Sequence, residues 1–172
     1  MRRLRLWLAL GLLAAPPLCA GRAAAQQTPR EVANGFYRLV VGEAPSGLPD
    51  EREMPLFTPY LSRELRTLFA RAAKERDEAV RARPDEKPPF VDGSLFSCAY
   101  EGPKRFSLGG VKVSGRFAYV AVRQDAGPGE NVEWTDTLVL VRERGRWLVW
   151  DVRMGCTWSF RMGPTLRAML GG

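Results

Sequence analysis

The chain has no histidine among its 172 residues and only 3 cysteines. The missing imidazole removes the commonest general base, and with it every Ser-His or Cys-His nucleophile pair. One cysteine, Cys19, falls in the N-terminal leader described below, which leaves Cys98 and Cys156. Two sulfurs without a histidine cannot supply the four nitrogen or sulfur ligands of a structural zinc site, so no metal or other cofactor is expected. The apolar stretch Leu6 to Ala15 is only about ten residues, too short to cross a hydrocarbon core of about 30 Å as a helix. No internal repeat and no low-complexity segment interrupts the chain, which argues against a solenoid.

What is present begins with an address. Arg2, Arg3 and Arg5 precede the apolar stretch, and Ala23-Ala24-Ala25 before Gln26 gives a small-x-small cleavage pattern, so residues 1–25 read as a secretory signal peptide. The competing lipoprotein reading would acylate Cys19, but Pro16-Pro17-Leu18 before it does not fit the lipoprotein box. Residues 26–172 then form a single domain, periplasmic or secreted, with no stable membrane insertion after cleavage. Four of the 26 basic residues, Arg2, Arg3, Arg5 and Arg22, leave with the leader, so 22 stand against 19 acidic ones and the net charge falls to +3. The remaining basic residues are interleaved with acidic ones, as from Arg71 to Arg83, a solvated helix face and not a phosphate-tracking groove; no nucleic-acid partner is expected. In an oxidising compartment Cys98 and Cys156 read as one disulfide, the alternative being two buried thiols.

Thr28-Pro29-Arg30-Glu31 is a capping box with proline at the first helical position, and Val32, Phe36, Leu39 and Val40 supply one apolar face. A second helix start is read at Thr58-Pro59, followed by a long stripe from Leu61 to Val80 that Arg83-Pro84 should stop. Arg71–Glu75, Lys74–Glu78 and Asp77–Arg81 offer i, i+4 charge pairs on its outer face. After residues 84–89 the period changes to two, with strand candidates at 105–108, 111–114, 117–123, 132–142 and 147–154. Gly109-Gly110, Ser114-Gly115 and Ala126-Gly-Pro-Gly129 are read as the turns between them, and 165–170 as terminal helical turns.

The strongest local signal is the pair of β-rich runs from Trp134 and from Trp147, joined by the polar break Glu143-Arg-Gly-Arg146. It reads as an antiparallel hairpin. Helices first and strands afterwards give an α+β domain, with helices packed on an antiparallel sheet of four to six strands. Strand 132–142 carries Leu138 and Leu140 on one side and Val139 and Val141 on the other, so a second face could meet a pocket or a second subunit, which leaves room for a homodimer.

Glu31-Val-Ala-Asn-Gly-Phe-Tyr37, Thr58-Pro-Tyr-Leu-Ser-Arg-Glu-Leu65, Asp92-Gly-Ser-Leu-Phe-Ser97 with Glu101-Gly-Pro103, Trp134-Thr-Asp-Thr-Leu-Val-Leu-Val141 and Gly145-Arg-Trp-Leu-Val-Trp-Asp-Val-Arg153, in this order, resemble a bacterial exported family, the domain-of-unknown-function family 3828. The resemblance implies a nuclear-transport-factor-2-like, or cystatin-like, fold in which helices sit inside a curved sheet and make a cone. It brings no assigned activity. Cys98 and Cys156 fall where the family would be expected to carry other small residues, so the bridge reads as particular to this chain and its near relatives.

In cone-shaped enzymes acid and base residues sit inside the cone, where burial raises carboxylate pKa values. The candidates here are Asp92, Glu101, Asp136 and Asp151, with Tyr100 and Tyr119 as donors. Asp92 and Glu101 adjoin turn residues, and Asp136 and Asp151 read as solvent-facing or paired with arginine on a neighbouring strand, so none is assigned a catalytic role. Trp134, Trp150, Trp158 and Tyr100 are the candidate binding residues, against the alternative of sheet core; Trp147 is assigned to the core and Trp150 to a pocket mouth or interface. The leading reading is a non-enzymatic exported domain that binds a small apolar ligand or an envelope protein. An isomerase- or hydrolase-like enzyme with a buried carboxylate comes second, and an inhibitor or immunity protein against an envelope enzyme third, with the 125–131 loop as its presenting element.

Overall fold

The computed structural model describes residues 26–157 and 163–172; the leader and Trp158 lie outside them. Helix α1 (Pro29–Glu43) starts where the capping box requires: the Thr28 side chain accepts from Glu31 N, and the Glu31 carboxylate accepts from Thr28 N at 2.7 Å. Those hydrogen bonds to Thr28 hold the Glu31 carboxyl below its ordinary value. The second start differs from the sequence reading. A short helix α2 (Met54–Phe57) ends at Thr58, and the long helix α3 (Arg63–Ala82) begins only after Ser62, whose Oγ accepts from Leu65 N. Thr58 points its hydroxyl back to Met54 O at 2.8 Å and caps nothing downstream. Helix α3 stops before Pro84 as expected, but of its three expected i, i+4 pairs only Lys74–Glu78 forms among the described residues. Arg71 turns instead to the carbonyls of Leu170 and Gly171.

Four strands follow, β1 (Arg105–Ser114), β2 (Phe117–Asp125), β3 (Glu133–Glu143) and β4 (Arg146–Arg153), in one antiparallel sheet of order β1-β2-β3-β4, and a short helix α4 (Leu166–Met169) comes last. The α+β fold expected from the sequence is thus present, with an open sheet. Gly109-Gly110 is no turn: it is a bulge within β1, merging two strand candidates, because an extra residue can be absorbed where no side chain disturbs the ladder. The β3–β4 hairpin turns at Arg144 and Gly145, both at positive φ (48° and 82°), the two-residue turn whose twist matches that of the strands.

Pairing fixes which side chains point inward. Ala118, Val120 and Val122 of β2 stand opposite Leu140, Leu138 and Asp136 of β3, so all six share the face covered by the helices. Phe36 of α1, Phe57 of α2 and Phe69 of α3 converge there on Phe96, with ring centroids 5.3, 4.9 and 5.8 Å away. Phe96 belongs to the irregular 83–104 segment, which is stitched down by Ser94 N to Tyr100 O and by a bridge from Ser94 to Gly47. The side of the sheet covered by the helices is therefore filled with aromatic rings. Val139 and Val141, on the other face, are also buried within the single chain.

Candidate functional site

The two ends of the sheet carry different chemistry. At the end where β2 leaves and β3 enters, Asp136 is fully buried. Its Oδ2 accepts from Cys98 N at 3.0 Å and Gln124 Nε2 at 2.8 Å, and its Oδ1 accepts from Gly155 N at 2.8 Å. Burial pushes its carboxyl above the ordinary value, outweighing the donors that hold it down. Gly155 is required: a Cβ there would lie 1.7 Å from Thr135 O. Cys98 and Cys156 form the expected disulfide across the same place, with Cα atoms 6.0 Å apart. Burial and the Asp136 charge together drive the Tyr37 phenol well up, while its hydroxyl donates to Phe96 O.

Asp136 and Asp151 correct the sequence reading, since neither faces solvent or pairs with an arginine side chain on an adjacent strand. Period-two alternation between Trp134 and Leu138 puts Asp136 indoors. Asp151 reaches its buried position beside a bulge in β4, and its Oδ1 accepts from Val152 N and Arg167 N; burial raises its pKa as well. Both carboxylates are engaged by backbone donors, and neither lines the two open depressions of the surface. Asp92 pairs with Lys87, and Glu101 sits exposed in a turn.

The aromatic candidates do not come together. Trp134 packs in the core with its indole N–H donating to Ser97 Oγ at 3.1 Å. Tyr100 is 44% exposed on a turn. Trp150 is half-buried on β4, edge-on to Phe117, with Arg167 stacked 4.3 Å above its ring and its Nε1 donating to Glu64. Glu64 also receives Arg167 Nη2 at 2.6 Å, and these two hydrogen bonds hold its carboxyl below the ordinary value. Trp147, expected in the core, packs against it while partly exposed.

At the opposite end of the sheet lies an open depression of 1120 Å³ that the sequence reading missed. Arg63 and Arg66 come from the first turns of α3, Arg116 from the β1–β2 turn, and Arg142, Arg144 and Arg146 from the hairpin. All six are exposed, and among the described residues none forms an ion pair. Strand β4 is fixed to the base by a parallel bridge at Leu61, with Ser62 N to Val149 O at 2.8 Å and Val149 N to Tyr60 O at 2.7 Å. Glu143 turns its carboxylate to Arg63 N at 3.3 Å, and Arg142 lies 5.9 Å over the Trp147 ring. Six cations scattered over 84 positions make no run in the sequence; only Arg142-Glu-Arg-Gly-Arg146 hinted at them. A second depression, of 720 Å³, runs between α1 and β1 beside Arg30 and Phe106.

No family model matches the chain, and neither does any curated protein. Among solved structures it is similar to a chain of the type VI native effector–immunity complex Tae3–Tai3 from Ralstonia pickettii, with a TM-score of 0.49 and 16% identity over 79% of this chain and 100% of that one. No described helix is long and apolar enough to cross a membrane.

Proposed function

We propose that this protein is an exported, non-enzymatic binding domain whose partner is another protein of the cell envelope, in the manner of an inhibitor or immunity protein. The observation that carries the reading is the contrast between a filled interior and an open, charged end: Phe36, Phe57, Phe69 and Phe96 occupy the helix-covered face of the sheet, while six arginines that form no ion pair among the described residues surround a depression outside it. An apolar ligand would need an apolar cavity, and an enzyme a buried carboxylate facing one. The 98–156 disulfide supports an oxidising compartment, periplasmic or secreted. Membership of the exported family 3828 belongs to the same proposal and adds no activity.

The test is complementation of a deletion strain by single variants, with folding of each checked by circular dichroism. Asp92→Asn, Glu101→Gln and Asp151→Asn, if folded, should keep function, and a photo-crosslinker placed at the hairpin tip should yield a discrete protein adduct. A folded carboxylate variant that loses function while its neighbours keep it would turn the reading toward an enzyme.

A further inference from the structure

We infer that the arginine-lined depression at the hairpin end receives an extended acidic segment of the partner protein, one that seats an apolar side chain between carboxylates. This rests on the protein-binding reading and names the chemistry of its contact.

Six arginines stand against two glutamates in the lining, and Glu143 is already turned to the α3 backbone. Like charges gathered around one depression repel one another, an arrangement that a bound anion would relieve. Guanidinium groups are suited to this: the planar fork takes a carboxylate in two parallel hydrogen bonds and is more weakly hydrated than an ammonium. The arginines are carried on a helix start and two tight hairpins, so their backbone positions are set before any partner arrives.

The floor discriminates between anionic partners. Met54, Pro55 and Pro59 put accessible apolar surface among the charged groups, backed by the buried Leu61 and Leu148, the anatomy of a protein interface. The lining holds no Trp, Tyr or Phe on which nucleobases could stack, and Glu51 and Glu143 would meet a phosphate backbone with like charge. A membrane surface is served by a convex basic face, whereas this one is hollow.

The experiment measures fluorescence anisotropy of a dye-labelled peptide Asp-Leu-Asp-Glu-Leu-Asp titrated with the protein without its leader. Comparison probes are the Asn/Gln counterpart, hexa-aspartate, a thymidine hexanucleotide and phosphatidylglycerol vesicles. Saturable binding of the acidic-apolar peptide is expected, stronger than hexa-aspartate, with the neutral peptide silent. Arg144→Glu combined with Arg146→Glu should weaken it about tenfold or more. Lys74→Glu combined with Arg81→Glu, the same charge change on the exposed face of α3, should leave it within about twofold. Equal loss in both double variants, equal binding of the neutral peptide, tighter binding of the oligonucleotide or vesicles, or no saturable binding would each overturn the inference. Photo-crosslinkers in the depression and in the 125–131 loop then separate the two levels. A protein adduct through the loop alone removes this site and leaves the protein-binding reading standing, whereas no protein adduct from either position removes that reading itself.

Discussion

The two ends of the sheet are built from the same four strands and treat charge in opposite ways. At the disulfide end one carboxylate, Asp136, is sunk to zero exposure and surrounded by donors from three separate segments. At the hairpin end six guanidinium groups are left exposed and form no ion pair among the described residues. The first arrangement uses charge to hold chain segments together, since removing a partner of a buried ion strands the rest. The second contributes little to the fold, because exposed charges are screened, and apart from the Arg142 bond to Gln26 Oε1 at 3.1 Å it leaves most of its hydrogen-bonding capacity for something outside the chain. A molecule so divided should lose stability at one end and binding at the other.

The largest effect should follow removal of the covalent tie. Cys98→Ala with Cys156→Ala opens a loop of 58 residues and should lower unfolding free energy by about 4 kcal/mol in urea titrations, an upper figure because the reference chain is not featureless. Binding of the acidic-apolar peptide by the folded fraction should not change; if it did, the two ends would not be independent. Asp136→Asn comes next, at about 2–4 kcal/mol, because one amide oxygen cannot replace two carboxylate oxygens that serve three donors, and its NH₂ would face one of them.

A subtler effect is pH-dependent. Burial raises the Asp151 pKa above its ordinary 3.8, so the folded state holds the proton more tightly than the unfolded chain. Its contribution is fully present below 3.8 and is lost as pH rises through the raised folded value. The gap in melting temperature between wild type and Asp151→Asn should therefore widen as pH falls from neutral toward 3.8; a gap that narrows would mean the site favours the ionised form. Smallest of all for stability is Arg144→Glu with Arg146→Glu, expected within about 0.5 kcal/mol of wild type or slightly above it. A large destabilisation would show that the arginines hold the fold and would end the comparison.

Much of the architecture was legible because it rests on local chemistry. The capping box at Thr28, the stop before Pro84 and the Arg144-Gly145 hairpin each depend on neighbours in sequence, and each stands where expected. The start of α3 was misread because Thr58-Pro59 and Ser62 offer comparable signals, and the pairing of Ser62 N with Val149 O, 87 positions away, selects the second. Gly109-Gly110 is ambiguous in the same way: two glycines suit a turn or a bulge, and only the partner strand decides. The candidate site was less legible than the fold. Its arginines come from three distant stretches that the sheet gathers at one end, whereas of the aromatic residues that drew attention instead, Trp134 is taken up by the core and Trp150 by Arg167 and Phe117.

The position of Phe96 has a consequence for how the molecule assembles. Rings from all of the first three helices meet on a residue that belongs to neither helix nor ladder, within a segment joined to the rest mainly by contacts remote in sequence. The core is therefore complete only when residues 83–104 lie across all three helices, and that contact carries the loop-closure entropy of joining parts of the chain remote in sequence.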